Sequence, residues 1–355
     1  MRLQLTLALM LAARSAGAEG QASVDVRSGV YQDSDRTFIS TTTVAARGIV
    51  KDRLTIEARY LVDVVSSASV DVVTAATSRF SETRHEAAGA VGYRDGTNAV
   101  SGGYIYSIEN DWESHTANLG WSRDLAKHNV TIGLGGTFVY NAVGRSGDRN
   151  FHRTLVVGGG AAFVSFTPTP RDVVSINYST SYLTGYQASP YRFVYFTDGP
   201  SRASVPETDP NTRFRHALTL RWNRHVFTDS AIQSFVRGYV DDWGVTSATV
   251  GAEYLIGLHD FTLGLHVRGY FQEHASFYRP VYTAPLRYMT ADRELSRFVD
   301  GFAGVRLGWR RQRLGRLTEL RAEAKVDAFG FWFFDFPRLQ SRSGVVVELA
   351  LGASF

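Results

Sequence analysis

The sequence predicts an all-β fold: a transmembrane, antiparallel, up-and-down β-barrel of about sixteen strands, with fourteen or eighteen as alternatives. Three observations carry this. Apolar and polar residues alternate with period two through most of the chain, long and short connections follow each other in turn, and the last alternating segment ends on an aromatic residue, Phe355. Strict alternation over eight or more residues marks a strand with one apolar and one polar face.

The first eighteen residues stand apart. Arg2 gives a positive start, Leu3 to Ala13 is almost wholly apolar, and Ala16-Gly17-Ala18 is a small-x-small cleavage site. That is the layout of a secretory signal peptide, so residues 1–18 are expected to be removed and 19–355 to form one barrel domain. The sixteen segments then fall at 22–33, 36–48, 53–65, 80–93, 97–109, 112–124, 128–140 and 151–166. They continue at 171–185, 211–228, 231–242, 246–258, 261–272, 298–310, 316–331 and 344–355. The clearest is 317–328, where Leu320, Ala322, Ala324, Val326 and Ala328 alternate with Glu319, Arg321, Glu323, Lys325 and Asp327. Between segments stand turn residues such as Asp33-Ser34-Asp35, Arg94-Asp95-Gly96-Thr97 and Glu109-Asn110-Asp111.

If the first strand starts in the periplasm, odd connections face outward. All the long ones are odd: 66–79, 141–150, 186–210, 273–297 and 332–343, while the even ones hold a few residues each. This asymmetry is what an outer-membrane barrel shows. A sandwich of sixteen long strands would need a linker between two domains, and a propeller would repeat every 40 to 50 residues or so; neither feature is visible. All six tryptophans fall near segment ends, with Trp112, Trp243 and Trp332 at the outer level and Trp121, Trp222 and Trp309 at the inner one. They and Phe355 are expected at the membrane interface, where an indole keeps its N–H in water and its ring in lipid.

Composition narrows the function classes. The chain has no cysteine, which removes disulfides, thiolate metal sites and a cysteine nucleophile. A formal charge of +4 in 355 residues argues against a nucleic-acid partner.

Several stretches add a resemblance. They are Ser66-Ser67-Ala68-Ser69, the run from Asp71 to Phe80, Ser81-Glu82-Thr83-Arg84, Tyr106 to Ser114, and Gly185 to Arg192. In these the chain resembles a family of predicted bacterial outer-membrane β-barrels catalogued only as a domain of unknown function. The resemblance implies an outer-membrane barrel of Gram-negative origin and brings no catalytic residues.

A barrel of this size leaves an aqueous lumen. The polar faces place Glu57, Arg59, Asp63, Glu82, Arg84, Glu86, Arg237, Glu253, Arg268, Arg306, Glu319, Arg321, Glu323, Lys325 and Asp327 toward it. Such charges either line a wet pore or cross-pair as a structural ladder, and their mixed signs indicate no ion preference. In the two longest loops Tyr191, Arg192, Tyr195, Tyr278, Arg279, Tyr282, Arg287 and Tyr288 offer stacking and hydrogen bonds to a planar ligand, or packing against the barrel mouth.

Enzymatic arrangements fare worse. Asp241-Asp242 lies at an outer turn and His259-Asp260 at an inner one, while Ser114 and His115 are neighbours on a strand and point to opposite faces. Glu109, Asn110, Asp111 and Glu113 could offer oxygens to Ca²⁺, but Asn and Asp favour such turns for their own backbone bonds. The expectation is therefore a non-enzymatic barrel with no catalytic residues, metal or cofactor. It would be a porin-like passive channel for small polar solutes, or else a closed structural or surface-recognition barrel that binds an envelope partner through its long loops. The expected partners are outer-membrane lipid, the insertion machinery that reads the strand ending at Phe355, and a small polar solute.

Overall fold

A computed structural model describes residues 20–67, 80–196, 204–315 and 317–355. The expected signal peptide and residues 68–79 of the first long loop lie outside the described residues. In chain order the first strands are β1 (Gly20–Asp33), β2 (Thr37–Val50), β3 (Leu54–Ser67), β4 (Phe80–Asp95), β5 (Asn98–Ile108) and β6 (Trp112–Leu125). Then come β7 (Val130–Val143), β8 (Arg153–Thr169), β9 (Asp172–Gly185), β10 (Phe193–Tyr195), β11 (Ser204–Pro206) and β12 (Thr212–Phe227). The last six are β13 (Ser230–Asp241), β14 (Thr246–Leu258), β15 (Phe261–Gln272), β16 (Phe298–Leu314), β17 (Leu317–Phe333) and β18 (Ser341–Ser354).

Sixteen of these close one antiparallel barrel, each strand beside its sequence neighbour and β1 beside β18. Every expected segment corresponds to one barrel strand. The unanticipated pair, β10 and β11, is a small separate sheet inside the connection between β9 and β12. At the seam Ser23 faces Ser354 and Asp33 faces Gly344, and Ala22 and Phe355 exchange both backbone hydrogen bonds. Closure leaves the ladder without an edge, the condition for crossing lipid with strands. No described helix is long and apolar enough to cross a membrane.

Because side chains alternate along each strand and pair across it, the register sorts the wall into two faces. One is an apolar surface of which Val64, Leu119, Leu134, Leu218, Val250, Leu265, Val305 and Leu349 are exposed members. The other holds the charges. Short turns at one end carry positive-φ pairs such as Lys51 and Asp52 (φ 50° and 54°), the conformation that matches a tight hairpin to strand twist. The long connections gather at the opposite end.

Candidate functional site

Following the register strand by strand, all fifteen charged residues singled out in the sequence fall on the same face. Asp63 faces Arg84, Arg306 faces Lys325, and Glu253 faces His266. Near the short-turn end this face borders a cavity of about 700 Å³, with Asp25, Arg47, Glu57, Arg59, Asn118 and Arg321 in its lining.

The charges on this face pair along the wall. Arg59 reaches Glu86 at 2.6 Å, Arg47 reaches Glu57 at 3.2 Å, and Arg84 bonds Asp63. Arg268 bonds Asp300 and Lys325 holds Asp327 at 2.8 Å. Four contacts skip a strand, one of them at the short-turn rim, where Arg94 on β4 reaches Asp124 on β6 at 3.0 Å, and three deeper in the wall. Arg306 on β16 reaches Glu253 on β14 at 2.9 Å, His266 on β15 bonds Asp327 on β17, and Arg321 on β17 reaches Asp25 on β1 at 2.6 Å.

Under each of the three deeper arches the intervening strand carries glycine, whereas the rim pair passes over Ala99 on β5. A Cβ at Gly264 would stand 2.6 Å from Glu253 Oε1, one at Gly304 would stand 2.7 Å from His266 Nε2, and one at Gly352 would collide with both Arg321 and Asp25. On a concave surface alternate strands converge, and a missing side chain lets their charges meet. Every carboxylate on the inward face of the described strands, Glu82 apart, is in such a pair.

The long connections build a roof. Val194, Tyr282, Met289 and Ala291 form a buried cluster joining the 186–211 and 273–297 segments, with Phe196 and Val205 packed against it. Backbone bridges tie Phe196 to Tyr282 and Thr208 to Met289. Trp243, Val245, Ala275, Tyr278 and Leu295 form a second cluster. Arg293 reaches Asp35 in the β1–β2 turn at 2.5 Å, and Tyr278 donates to the Asp335 carbonyl in the β17–β18 connection at 2.8 Å. On the other flank Tyr191 bonds Asp111 and accepts from the Ser146 N–H.

The loop residues expected to face a ligand or the mouth therefore divide. Tyr278 and Tyr282 are buried in the roof, and Arg192 pairs with Glu207 and Asp292 at 3.2 and 2.7 Å. Tyr195 lies beneath the Arg338 guanidinium. Tyr288 packs between Phe277 and Arg287, and Arg279 and Arg287 are exposed.

Carboxylates crowd this roof. Burial first, then the charges of Glu207 and Asp292, push Asp209 up to about 8, and burial raises Glu207 as well. At the β5–β6 turn the carboxylates of Glu109 and Asp111 converge within 4.8 Å with that of Glu82. Burial raises both turn acids above the usual range. The acidic group the sequence suggested is thus differently composed. Glu113 points to the apolar face, where it accepts from Tyr106, and Glu82 takes part from the neighbouring β4.

The tryptophans also need correction. Trp121, Trp222, Trp309 and Trp332 stand on the apolar face, and Phe355 packs beside Val24 and Ala46. Trp112 and Trp243 do not join them. Trp112 packs on Val143, Leu155 and Leu183 and donates to Asn141 at 3.1 Å, and Trp243 is 4% exposed beneath the Arg213 guanidinium. Position near a strand end gives the level of a side chain but not its side. Parity gives the side: Trp112 shares it with Ser114, Thr116 and Asn118. Ser114 and His115 do face opposite ways, Ser114 toward Asn141 and His115 toward Tyr140.

Several inward charges escaped the sequence reading, among them Asp25, Arg47 and Asp300 and, on β12, Arg215 and Arg221. The signal for the last two was present, since Arg213, Arg215, Thr219, Arg221 and Asn223 alternate with Phe214, His216, Leu218, Leu220 and Trp222 along β12.

The sequence matches a family described as "Protein of unknown function (DUF3570)" over residues 73–165 and 167–326. No functionally described protein has a sequence that matches it. Among solved structures, a bacterial polysaccharide outer membrane secretin aligns with a TM-score of 0.53 at 9% identity, over 94% of this chain and 98% of that one. CdiB from Acinetobacter baumannii aligns at 0.50 with 10% identity, over 95% of this chain and 60% of that one. The outer membrane protein opdK from Pseudomonas aeruginosa aligns at 0.46 with 8% identity, over 95% and 99%. The fold is that of bacterial outer-membrane barrels.

Proposed function

The chain belongs to the DUF3570 family of proteins of unknown function, and on that footing we propose that it is an outer-membrane channel passing small polar solutes passively. The observation that carries this reading is the direction of the ion pairs. Each pair on the inward face lies within one strand or joins strands that are neighbours or separated by a single strand, so the charges are neutralised along the wall. A ladder built to fill the lumen would bond across it. Pairing along the wall also removes the desolvation problem that mixed charges would otherwise pose, and it leaves the middle to water. A barrel of sixteen strands is wide enough for that.

In this reading the protein sits in the outer membrane of a Gram-negative cell. Its apolar face meets lipid, and the strand ending at Phe355 is the segment the insertion machinery takes hold of. The roof limits entry at the long-loop end.

Conductance of the refolded protein in planar bilayers tests the proposal. Discrete openings are expected, larger or more frequent once 186–210 and 273–297 are deleted. No openings in either form would overturn it. That outcome would favour the second reading, a closed surface-recognition barrel, which the apolar packing of the roof supports.

A further inference from the structure

Ion pairing consumes the inward carboxylates, Glu82 apart, but not all the inward arginines. Among the described residues Arg215, Arg221 and Arg237, on β12 and β13, form no ion pair, whereas thirteen of the fifteen charges singled out above do, Arg237 and Glu82 being the two that do not. The register explains why.

Arg215 stands opposite Asp241, but that carboxylate is already occupied. One oxygen takes Arg213 and the Tyr239 hydroxyl, and the other takes the backbone N–H groups of Trp243 and Val245. The Nε of Arg215 is buried without a partner among the described residues. Arg237 faces Thr219 on one side and Thr249 on the other, and Arg221 faces Ser175 and Phe235. Arg221 and Arg237 lie over the rings of Phe235 and Tyr239 at 5.4 and 5.7 Å. An aromatic face holds a guanidinium in place without neutralising it. From Arg215 to Arg221 the strand rises about 20 Å, so the unpaired charges run down the wall as a strip and are not confined to one rim.

We propose that Arg215, Arg221 and Arg237 form an anion-binding strip in the lumen, which makes the channel selective for small solutes bearing a carboxylate or phosphate group. The strip borders β9, whose inward side chains include Ser175, Asn177, Ser179 and Ser181, so the hydroxyls of a sugar acid would find partners beside its charge. This inference rests on the channel reading above and adds its selectivity.

The test is the reversal potential of single channels under a KCl gradient, repeated with gluconate in place of chloride. The wild-type barrel is expected to prefer chloride to potassium and to pass gluconate. The triple variant Arg215→Gln, Arg221→Gln, Arg237→Gln should lower the chloride preference about fivefold, the factor equivalent to ~1 kcal/mol, one screened unit attraction at 4 Å. The triple lysine variant should keep it. Should the triple glutamine variant fail to fold, the single variant Arg221→Gln, at an exposed position, should still lower the ratio. Open channels without anion preference, or a preference unchanged in every glutamine variant, would overturn the strip and leave the channel standing. Absence of any conductance in the wild type would overturn both.

Discussion

From β14 round through the seam to β4 the inward face is built of charges. From β5 to β9 it is built of hydroxyls, amides, aliphatics and glycine, with the aromatics Trp112 and Phe163 and with Asp124 and Arg153 only at the rims. The two arcs meet water in different ways. On the charged arc each ion needs a counter-ion, and the deeper skipping pairs require glycine beneath them at Gly264, Gly304 and Gly352. The neutral arc is also glycine-rich: a Cβ at Gly135 or Gly159 would make only ordinary contacts of 3.6 Å or more, whereas one at Gly133 would collide with the Phe163 ring and one at Gly120 would stand 2.8 Å from the Ser101 hydroxyl. Glycine therefore makes room for ion pairs on one arc; on the other it makes room for a ring or a hydroxyl at Gly133 and Gly120 and leaves open space at Gly135 and Gly159.

The sharpest way to break this comparison is to fill a glycine on each side. Gly304→Val should cost about 4 kcal/mol, the scale of disrupting a buried ion pair, because the new side chain displaces Asp327 from His266. Gly159→Ala should shift stability by less than about 0.5 kcal/mol. Guanidinium midpoints in detergent, read by heat-modifiable gel migration, would measure both, and equal costs would erase the distinction.

Next in size is Asp327→Ala, expected at about 3 kcal/mol. Asp327 is 5% exposed and serves both His266 and Lys325, so its loss leaves the partly exposed Lys325 ammonium without a counter-ion and His266 without its bond. Adding Lys325→Met should recover part of the loss, and failure to recover would mean that packing and not charge sets the cost.

The roof supplies a third test, of pH. Asp209 is raised to about 8 by burial and by Glu207 and Asp292, against the attraction of Arg192 and Arg213. A carboxyl raised in the folded state adds stability that is full below its unfolded pKa of about 4 and is lost as pH rises through the folded value. The 186–211 and 273–297 segments should therefore become more open to protease between pH 5 and 9 or so, while the strands do not. Asp209→Asn should flatten that profile, and an unchanged profile would exclude Asp209 as its source.

The smallest effect belongs to Arg47→Ala. Arg47 and Glu57 are both about half exposed, and breaking such a pair should cost no more than about 0.5 kcal/mol. A larger loss in the same denaturation assay would mean that the lumen at this level is drier than its exposure indicates.

How far these arcs can be read in the sequence depends on the range of the interaction. Alternation is local, so the sixteen strands and the common face of Glu319, Arg321, Glu323, Lys325 and Asp327 were legible. Which charges would meet was not, because His266 and Asp327 are 61 residues apart and Arg321 and Asp25 are 296 apart. The burial of Trp243 was hidden for the same reason, since its cover comes from Ala275, Tyr278 and Leu295 in another connection. β10 and β11 have three residues each, too few to show a period. The unpaired strip could be half seen: parity placed Arg237 inward, but nothing local said that Asp241 would be spent on Arg213.

The seam between β1 and β18 bears on how the molecule is made. Its partners, Ser23 with Ser354 through Asp33 with Gly344, are nearly the whole chain apart, so the costliest loop to close is also the one that completes the sheet. Until it zips, β1 and β18 each present a naked ladder of backbone groups to solvent or lipid. Assembly is thus a commitment made last, and a lesion in either terminal strand should act as a failure of the entire barrel, leaving two sticky edges where a sealed wall was due.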